Sequence, residues 1–347
     1  MFSASYFQAR DRFREAVGER LISLPIEARG PGGEQLTLDV AVFGPREARK
    51  VVLHTSGLHG IEGFAGSAIQ LDLLARGVPD LPEDTSLIVG HVLNPYGMAW
   101  LRRVNEENVD LNRNFLAPDE EYSGAPEDYA NFDAFLNPPT PPSLDAFWFT
   151  GISLILRHGF NALKQTIVGG QYAFPRGLFF GGARLQDGPA AWSHFLAEEL
   201  EGAEHVVGID VHTGLGRSGV DTLLVEAAKG SDPYERWRKT FGERVTPWDP
   251  DAGVAYAIRG GYPSLIPRLA PQAQVDFVTQ EFGTKAPILV LKALREENRH
   301  HLHGGGAIDH PTKQALKDTF CRPSPQWEAQ ILARGKELLD EAFGLVS

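Results

Sequence analysis

Three apolar runs in this chain, 50–54, 205–211 and 275–282, have the length and β-branched content of buried strands, and each leads to a residue that can bind a cation or move a proton. This repeated pattern constrains the fold more than any other feature. In an open α/β sheet, ligands bind outside the carboxyl ends of the strands, so chemically capable residues at strand exits belong on one rim. The first run, Lys50-Val-Val-Leu-His54, passes through the loop Thr55-Ser-Gly-Leu-His-Gly60 into a stretch with helical apolar spacing from Phe64 to Arg76. His59 and Glu62 therefore fall in a strand-to-helix turn. The second run ends at His212 and the third carries Glu281 near its end, so three strand ends are expected to converge.

His59, Glu62 and His212 form a coherent ligand set. A catalytic zinc takes three protein ligands and leaves one position for water, and two histidines with one carboxylate is an established combination. With 11 histidines in 347 residues, a lone His-x-x-Glu would warrant little. Taken singly, His212 also fits a satisfied strand-end histidine, and Glu281 fits a carboxylate paired with a buried arginine. The joint arrangement carries the reading, because each polar residue leaves an apolar strand with its own chemical task.

The order His59-x-x-Glu62, Asn94-Pro-Tyr-Gly97, Arg103, Val109-Asp-Leu-Asn-Arg-Asn-Phe115, His212 and Glu281 resembles the zinc carboxypeptidase family of carboxypeptidase A. The resemblance spans roughly residues 50 to 285, as short motifs with unmatched sequence between them. It implies an α/β fold, a three-layer α/β/α sandwich around a mixed, mostly parallel twisted sheet. It also implies one zinc ion on His59, Glu62 and His212, with Glu281 as general base and then acid. Arg103 would face the developing oxyanion, with its neighbour Arg102 as the alternative. Asn112 and Arg113 would hold the free carboxylate of the substrate, a task suited to the guanidinium fork. Asp110 would accept the outer ring N–H of His59 and fix its tautomer.

The third ligand departs from the digestive carboxypeptidases. Asp210-Val-His212 is similar instead to deacylases of N-acyl amino acids such as succinylglutamate desuccinylase and aspartoacylase. At strand period two, Asp210 shares a face with His212, which suits a partner of that ring, a ligand to a second metal, or a buried salt-bridge partner. The family's mobile tyrosine corresponds to Tyr262, favoured by the flexible Gly260-Gly261 before it, or to Tyr256.

An insertion at about 116–200 has no counterpart in simple carboxypeptidases. It holds the rigid Asn137-Pro-Pro-Thr-Pro-Pro142 loop, a helix over 152–165 and a glycine- and aromatic-rich segment over 169–182. That segment, with Glu281-Phe-Gly-Thr284, is similar to a bacterial branch of the family known as a domain of unknown function. Gln171, Tyr172 and Arg176 are then candidates to line the substrate pocket, or the loop simply packs over the sheet. Gly214-Leu-Gly-Arg-Ser-Gly219 precedes a strand-like stretch rather than a helix, so it reads as a flexible loop and not as a dinucleotide site. No Gly-x-Ser-x-Gly elbow is present. His300, His301 and His303 read as a solvated helix end.

A single large domain over 1–347 accounts for the apolar content, beginning with a helix near 5–21 and a strand pair around 29–33, and closing with a helix over 326–343. A net charge of −12 argues against nucleic acid or an anionic membrane as partner. The single cysteine, Cys321, excludes an internal disulfide. No signal peptide or membrane span is expected, which makes the cytoplasm the default compartment. The sequence thus points to a zinc-dependent hydrolase of an amide bond next to a free carboxylate. Its substrate would be a short or modified peptide or, alternatively, an N-acyl amino acid. A third reading is an inactive protein that binds peptide termini.

Overall fold

The computed structural model describes residues 1–247 and 258–346. Among them, one eight-stranded sheet comprises β1 (Leu21–Arg29), β2 (Gln35–Phe43), β3 (Lys50–Ser56), β4 (Thr85–His91), β5 (His205–Ser218), β6 (Asp221–Val225), β7 (Val245–Pro247) and β8 (Gln274–Gly283). The spatial order is β1-β2-β4-β3-β5-β8-β6-β7. The central strands β4, β3, β5 and β8 are parallel, whereas β1 and β2 are antiparallel at one edge and β6 is antiparallel to β8 at the other. The sheet is therefore mixed with a parallel centre. Parallel strands covered on both faces must be apolar on both, which is why β3, β5 and β8 read as near-continuous apolar runs.

Alternate side chains of those strands enter different layers. Val52, Val207 and Ile209 pack with Ala65 and Ile69 of the Gly63–Arg76 helix and with Ile331 and Leu338 of the Pro325–Val346 helix. Val51, Leu53 and Val206 pack on the other face with Trp192 and Phe195 of the Asp187–Glu199 helix. The result is the expected three-layer α/β/α sandwich. A third apolar cluster, including Ile61, Leu163, Ile167, Phe179, Leu294 and Phe320, completes the core.

Several local expectations change. The helix expected over 152–165 is two, Phe147–His158 and Phe160–Val168, because Gly159 sits between them at φ +79°. The Gly214–Gly219 stretch is largely the end of β5, where the pairing with Gly283 of β8 shifts register between Gly214 and Ser218. At the end of the Pro287–His303 helix, His300 is buried and stacked on His310 with ring centroids 3.8 Å apart, so that helix end is packed rather than solvated.

Candidate active site

The strand-to-helix turn after β3 is shaped by a close backbone approach. At Gly60 a Cβ would lie 2.2 Å from the carbonyl carbon of Gly97. The Asn-Pro-x-Gly motif builds the opposing surface: Asn94 caps the short Pro95–Ala99 helix by accepting the Gly97 N–H at 2.8 Å. The N–H groups of Gly60 and Ile61 then donate to the carbonyls of Arg103 (3.1 Å) and Arg102 (2.8 Å). His59 and Glu62 are thereby held on a short 3₁₀ turn at a strand exit. His212 is brought beside them by the parallel pairing of β3 and β5, and Glu281 stands opposite His212 in the register of β5 with β8.

Three ligand atoms meet at one point. His59 Nδ1 lies 3.0 Å from Glu62 Oε1, His212 Nδ1 lies 3.2 Å from Glu62 Oε2, and the two Nδ1 atoms are 3.1 Å apart. The outer nitrogens are anchored by carboxylates, His59 Nε2 by Asp110 Oδ1 at 3.0 Å and His212 Nε2 by Asp210 Oδ2 at 2.6 Å. A carboxylate on Nε2 favours the tautomer with its proton there and turns the Nδ1 lone pair inward. Two inward lone pairs and a carboxylate gathered this closely repel one another unless a proton or cation sits between them. The donor set therefore fits a metal with nitrogen and oxygen ligands.

The charge balance agrees. Burial raises the Glu62 pKa, but the His59 charge and hydrogen bonds from both histidines outweigh it and hold the carboxyl far below the usual range. Burial lowers the His212 pKa, and Asp210 followed by Glu62 outweighs it, so the ring takes a proton well above the ordinary histidine range. Asp110 is held low, against burial, chiefly by Arg103 and His59. Glu281 moves the other way: burial and then the Glu62 charge push it up to about 7, while His212, the Leu215 N–H at 2.9 Å and Arg103 pull it back. A carboxyl poised near neutrality is suited to taking and returning a proton.

Asp110 and Asp210 thus stand where the sequence placed them, each behind one histidine. Asp210 also accepts from Thr55 Oγ1 at 2.7 Å, and the group that could hold an ion among the described residues is His59, Glu62 and His212. Arg103 lies at the centre, with NH1 3.0 Å from Glu62 Oε1, Nε 3.1 Å from Asp110 Oδ2 and NH2 2.7 Å from His59 Nε2. Asn112 lines the same cavity, its Oδ1 accepting the Tyr262 N–H at 3.0 Å.

Other candidates fall elsewhere. Arg102 is buried away from the centre, bonded to Glu297 (3.1 Å), Asn108 (2.9 Å) and Asn298 (3.0 Å), so it is no alternative to Arg103. Tyr262 is fully buried between Phe115 and Phe277, where its hydroxyl accepts from Trp192 Nε1 at 3.1 Å. It is a core aromatic and not a substrate-binding side chain, and Tyr256 lies outside the described residues. Arg113 is also fully buried and does not line the cavity; it donates to the carbonyls of Asn112 (2.8 Å) and Val168 (2.5 Å). In the glycine-rich segment, Gln171 braces its own turn by accepting from Ala173 and Phe174 N–H, Tyr172 donates to the Arg113 carbonyl, and Arg176 is exposed. Only Phe179 of that segment reaches the cavity.

The cavity beside the ligand cluster measures about 130 Å³. Its wall is largely apolar, from Leu163, Ile167, Ile288, Leu291, Leu294 and Phe320, and Lys164 also lines it. These residues escaped the sequence reading because they belong to helices far apart in the chain. A lysine within an otherwise apolar helical stripe was the one available signal.

The sequence profile of a family described as a protein of unknown function, DUF2817, matches residues 2–334. The chain belongs to the DUF2817 family. No curated protein matches this DUF2817 member. Solved structures similar to it include carboxypeptidase A from Helicoverpa armigera, at 14% identity over 90% of this chain and 73% of the other, with a TM-score of 0.45. Another is the murein-tripeptide amidase MpaA from Escherichia coli O157, at 14% identity over 86% of this chain and 97% of the other, with a TM-score of 0.37. An aspartoacylase family protein from Mesorhizobium loti is 14% identical over 82% of this chain and 66% of its own, with a TM-score of 0.39.

Proposed function

We propose that this DUF2817 protein is a zinc-dependent hydrolase that cleaves an amide bond next to a free carboxylate, acting as a carboxypeptidase on short or modified peptides. The observation that carries the reading is the pair of inward-facing Nδ1 atoms, each backed by a carboxylate, with Glu62 between them and Glu281 on the adjacent strand. A zinc ion held by His59, Glu62 and His212 would polarise a carbonyl and lower the pKa of a coordinated water to about 7. Glu281 would take the proton from the attacking water and return it to the leaving nitrogen. Arg103 supplies positive charge where the carbonyl oxygen becomes an anion. The apolar cavity excludes bulk water and so strengthens each of these interactions.

The largely apolar wall favours one second reading, deacylation of an N-acyl amino acid whose acyl chain fills the cavity. The same metal ligands and base would serve. Purified protein assayed for bound metal, and for release of amino acids from blocked dipeptides and from N-acyl amino acids, separates the two. Stoichiometric zinc and turnover lost in Glu281→Gln are expected. Protein without stoichiometric metal, or unchanged turnover in that variant, would sink the hydrolase reading.

A further inference from the structure

Arg113 is the residue whose type best suits a substrate carboxylate, yet its guanidinium is already engaged. It is fully buried, faces the Phe179 ring at 5.9 Å, and donates to the carbonyls of Asn112 and Val168. Gly170 presses on it from the same side: a Cβ there would lie 2.6 Å from Arg113 Cδ, and the glycine has φ +100°. Because Val168 closes the Phe160–Val168 helix, Arg113 acts as a clamp that fastens that helix beside the metal-ligand turn.

The clamped helix brings its own cation. Among the described residues, Arg103 and Lys164 are the arginine and lysine side chains that line the cavity, and Arg103 is held by Glu62 and Asp110. Lys164 is half-buried and sits between Leu163 and Ile167 in the apolar wall. Its ammonium is partly stripped of water, which lowers its proton affinity, and it is close enough to Glu281 for that charge to offset part of the loss. Asn112 also lines this cavity. Since its Oδ1 is engaged by the Tyr262 N–H, the amide's NH₂ is the group it can offer to an occupant.

We propose that Lys164, assisted by Asn112, receives the carboxylate of the substrate, and that Arg113 positions the helix that carries Lys164. This rests on the hydrolase reading for the substrate but makes a binding claim that can be measured separately. A carboxylate entering the apolar wall would regain a charge-assisted hydrogen bond that water no longer provides.

The test compares a blocked dipeptide ending in leucine as its free acid and as its carboxamide. Lys164→Met is expected to raise KM for the acid at least tenfold more than for the amide, and Lys164→Arg to recover most of the difference. Glu281→Gln should lower kcat on both substrates alike. Equal effects of Lys164→Met on acid and amide would overturn the proposal. Binding of 4-methylpentanoate against 4-methylpentanamide to the full purified chain, followed by calorimetry, reads carboxylate reception without turnover. A preference for the acid that disappears in Lys164→Met supports the proposal even if neither dipeptide is cleaved, in which case the hydrolase reading alone fails. No preference, or one that Lys164→Met leaves intact, overturns it.

Discussion

Replacing Asp210 by asparagine isolates the contribution of a residue that touches a metal ligand and not the metal. Asp210 accepts from His212 Nε2 at 2.6 Å and from Thr55 Oγ1 at 2.7 Å. Asparagine is nearly isosteric and can still place its oxygen toward the ring, so the fold should hold while the negative charge is lost. Outer carboxylates of this kind contribute roughly 10- to 100-fold to metal affinity, or about 1–3 kcal/mol. A second effect opposes the first. Asp210 is also the main reason His212 retains a proton well above the ordinary histidine range, and a metal must displace that proton. Removing Asp210 therefore weakens the ligand and its competitor together, so the loss should be smaller at about pH 6 than at about pH 8.5. Competition with a calibrated zinc chelator at both pH values measures this. Asp276→Asn is the control: Asp276 is also buried and bonded to a histidine, His205, but it lies at the other end of β8. Equal zinc affinity of Asp210→Asn and wild type at the higher pH would refute the reasoning.

Three further outcomes follow from the site and its surroundings. Glu281 ionises near pH 7 in the fold against 4.5 for the free side chain, so the folded state is penalised as pH rises through 7. In metal-free protein, Glu281→Gln should therefore raise unfolding free energy by up to roughly 3–4 kcal/mol at pH above 7 and by little below pH 4.5; equal denaturant midpoints for the two proteins above pH 7 would contradict it. Arg102→Met leaves Glu297 buried with Lys313 as its remaining ion-pair partner, which should cost about 3 kcal/mol of stability while kcat per folded molecule stays near wild type. Loss of kcat at full stability would return Arg102 to the active site. Tyr262→Phe should cost about 1–3 kcal/mol, because the buried Trp192 N–H loses its acceptor, with KM unchanged; a rise in KM without loss of stability would restore Tyr262 to the substrate pocket.

The parts of the site that were legible in the sequence share one property: they are set by local backbone geometry at strand ends. His59 and Glu62 are three residues apart on a single turn, and Asp110 caps its own turn by accepting the Asn112 N–H at 3.1 Å. Asp210 and His212 alternate along one strand. For such residues, spacing is enough to say which atoms share a face. Tyr262 misled because a tyrosine after two glycines reads as mobile, whereas its ring is enclosed by Phe115, Phe277 and Trp192 from three distant segments. Arg113 misled for a related reason. Its residue type suits a carboxylate, but the carbonyl that claims it comes from a helix end 55 residues away.

The sequence by itself therefore placed His59, Glu62, His212 and Glu281 at the exits of three buried strands, because strand period and turn spacing act over a few residues. Tertiary structure alone decided which cations line the cavity and how it is walled. Those features arise where the Phe160–Val168 and Pro287–His303 helices and Phe320 meet over the strand ends. No local pattern in the chain encodes the closeness of segments that far apart; only the burial of their apolar faces against one another brings it about.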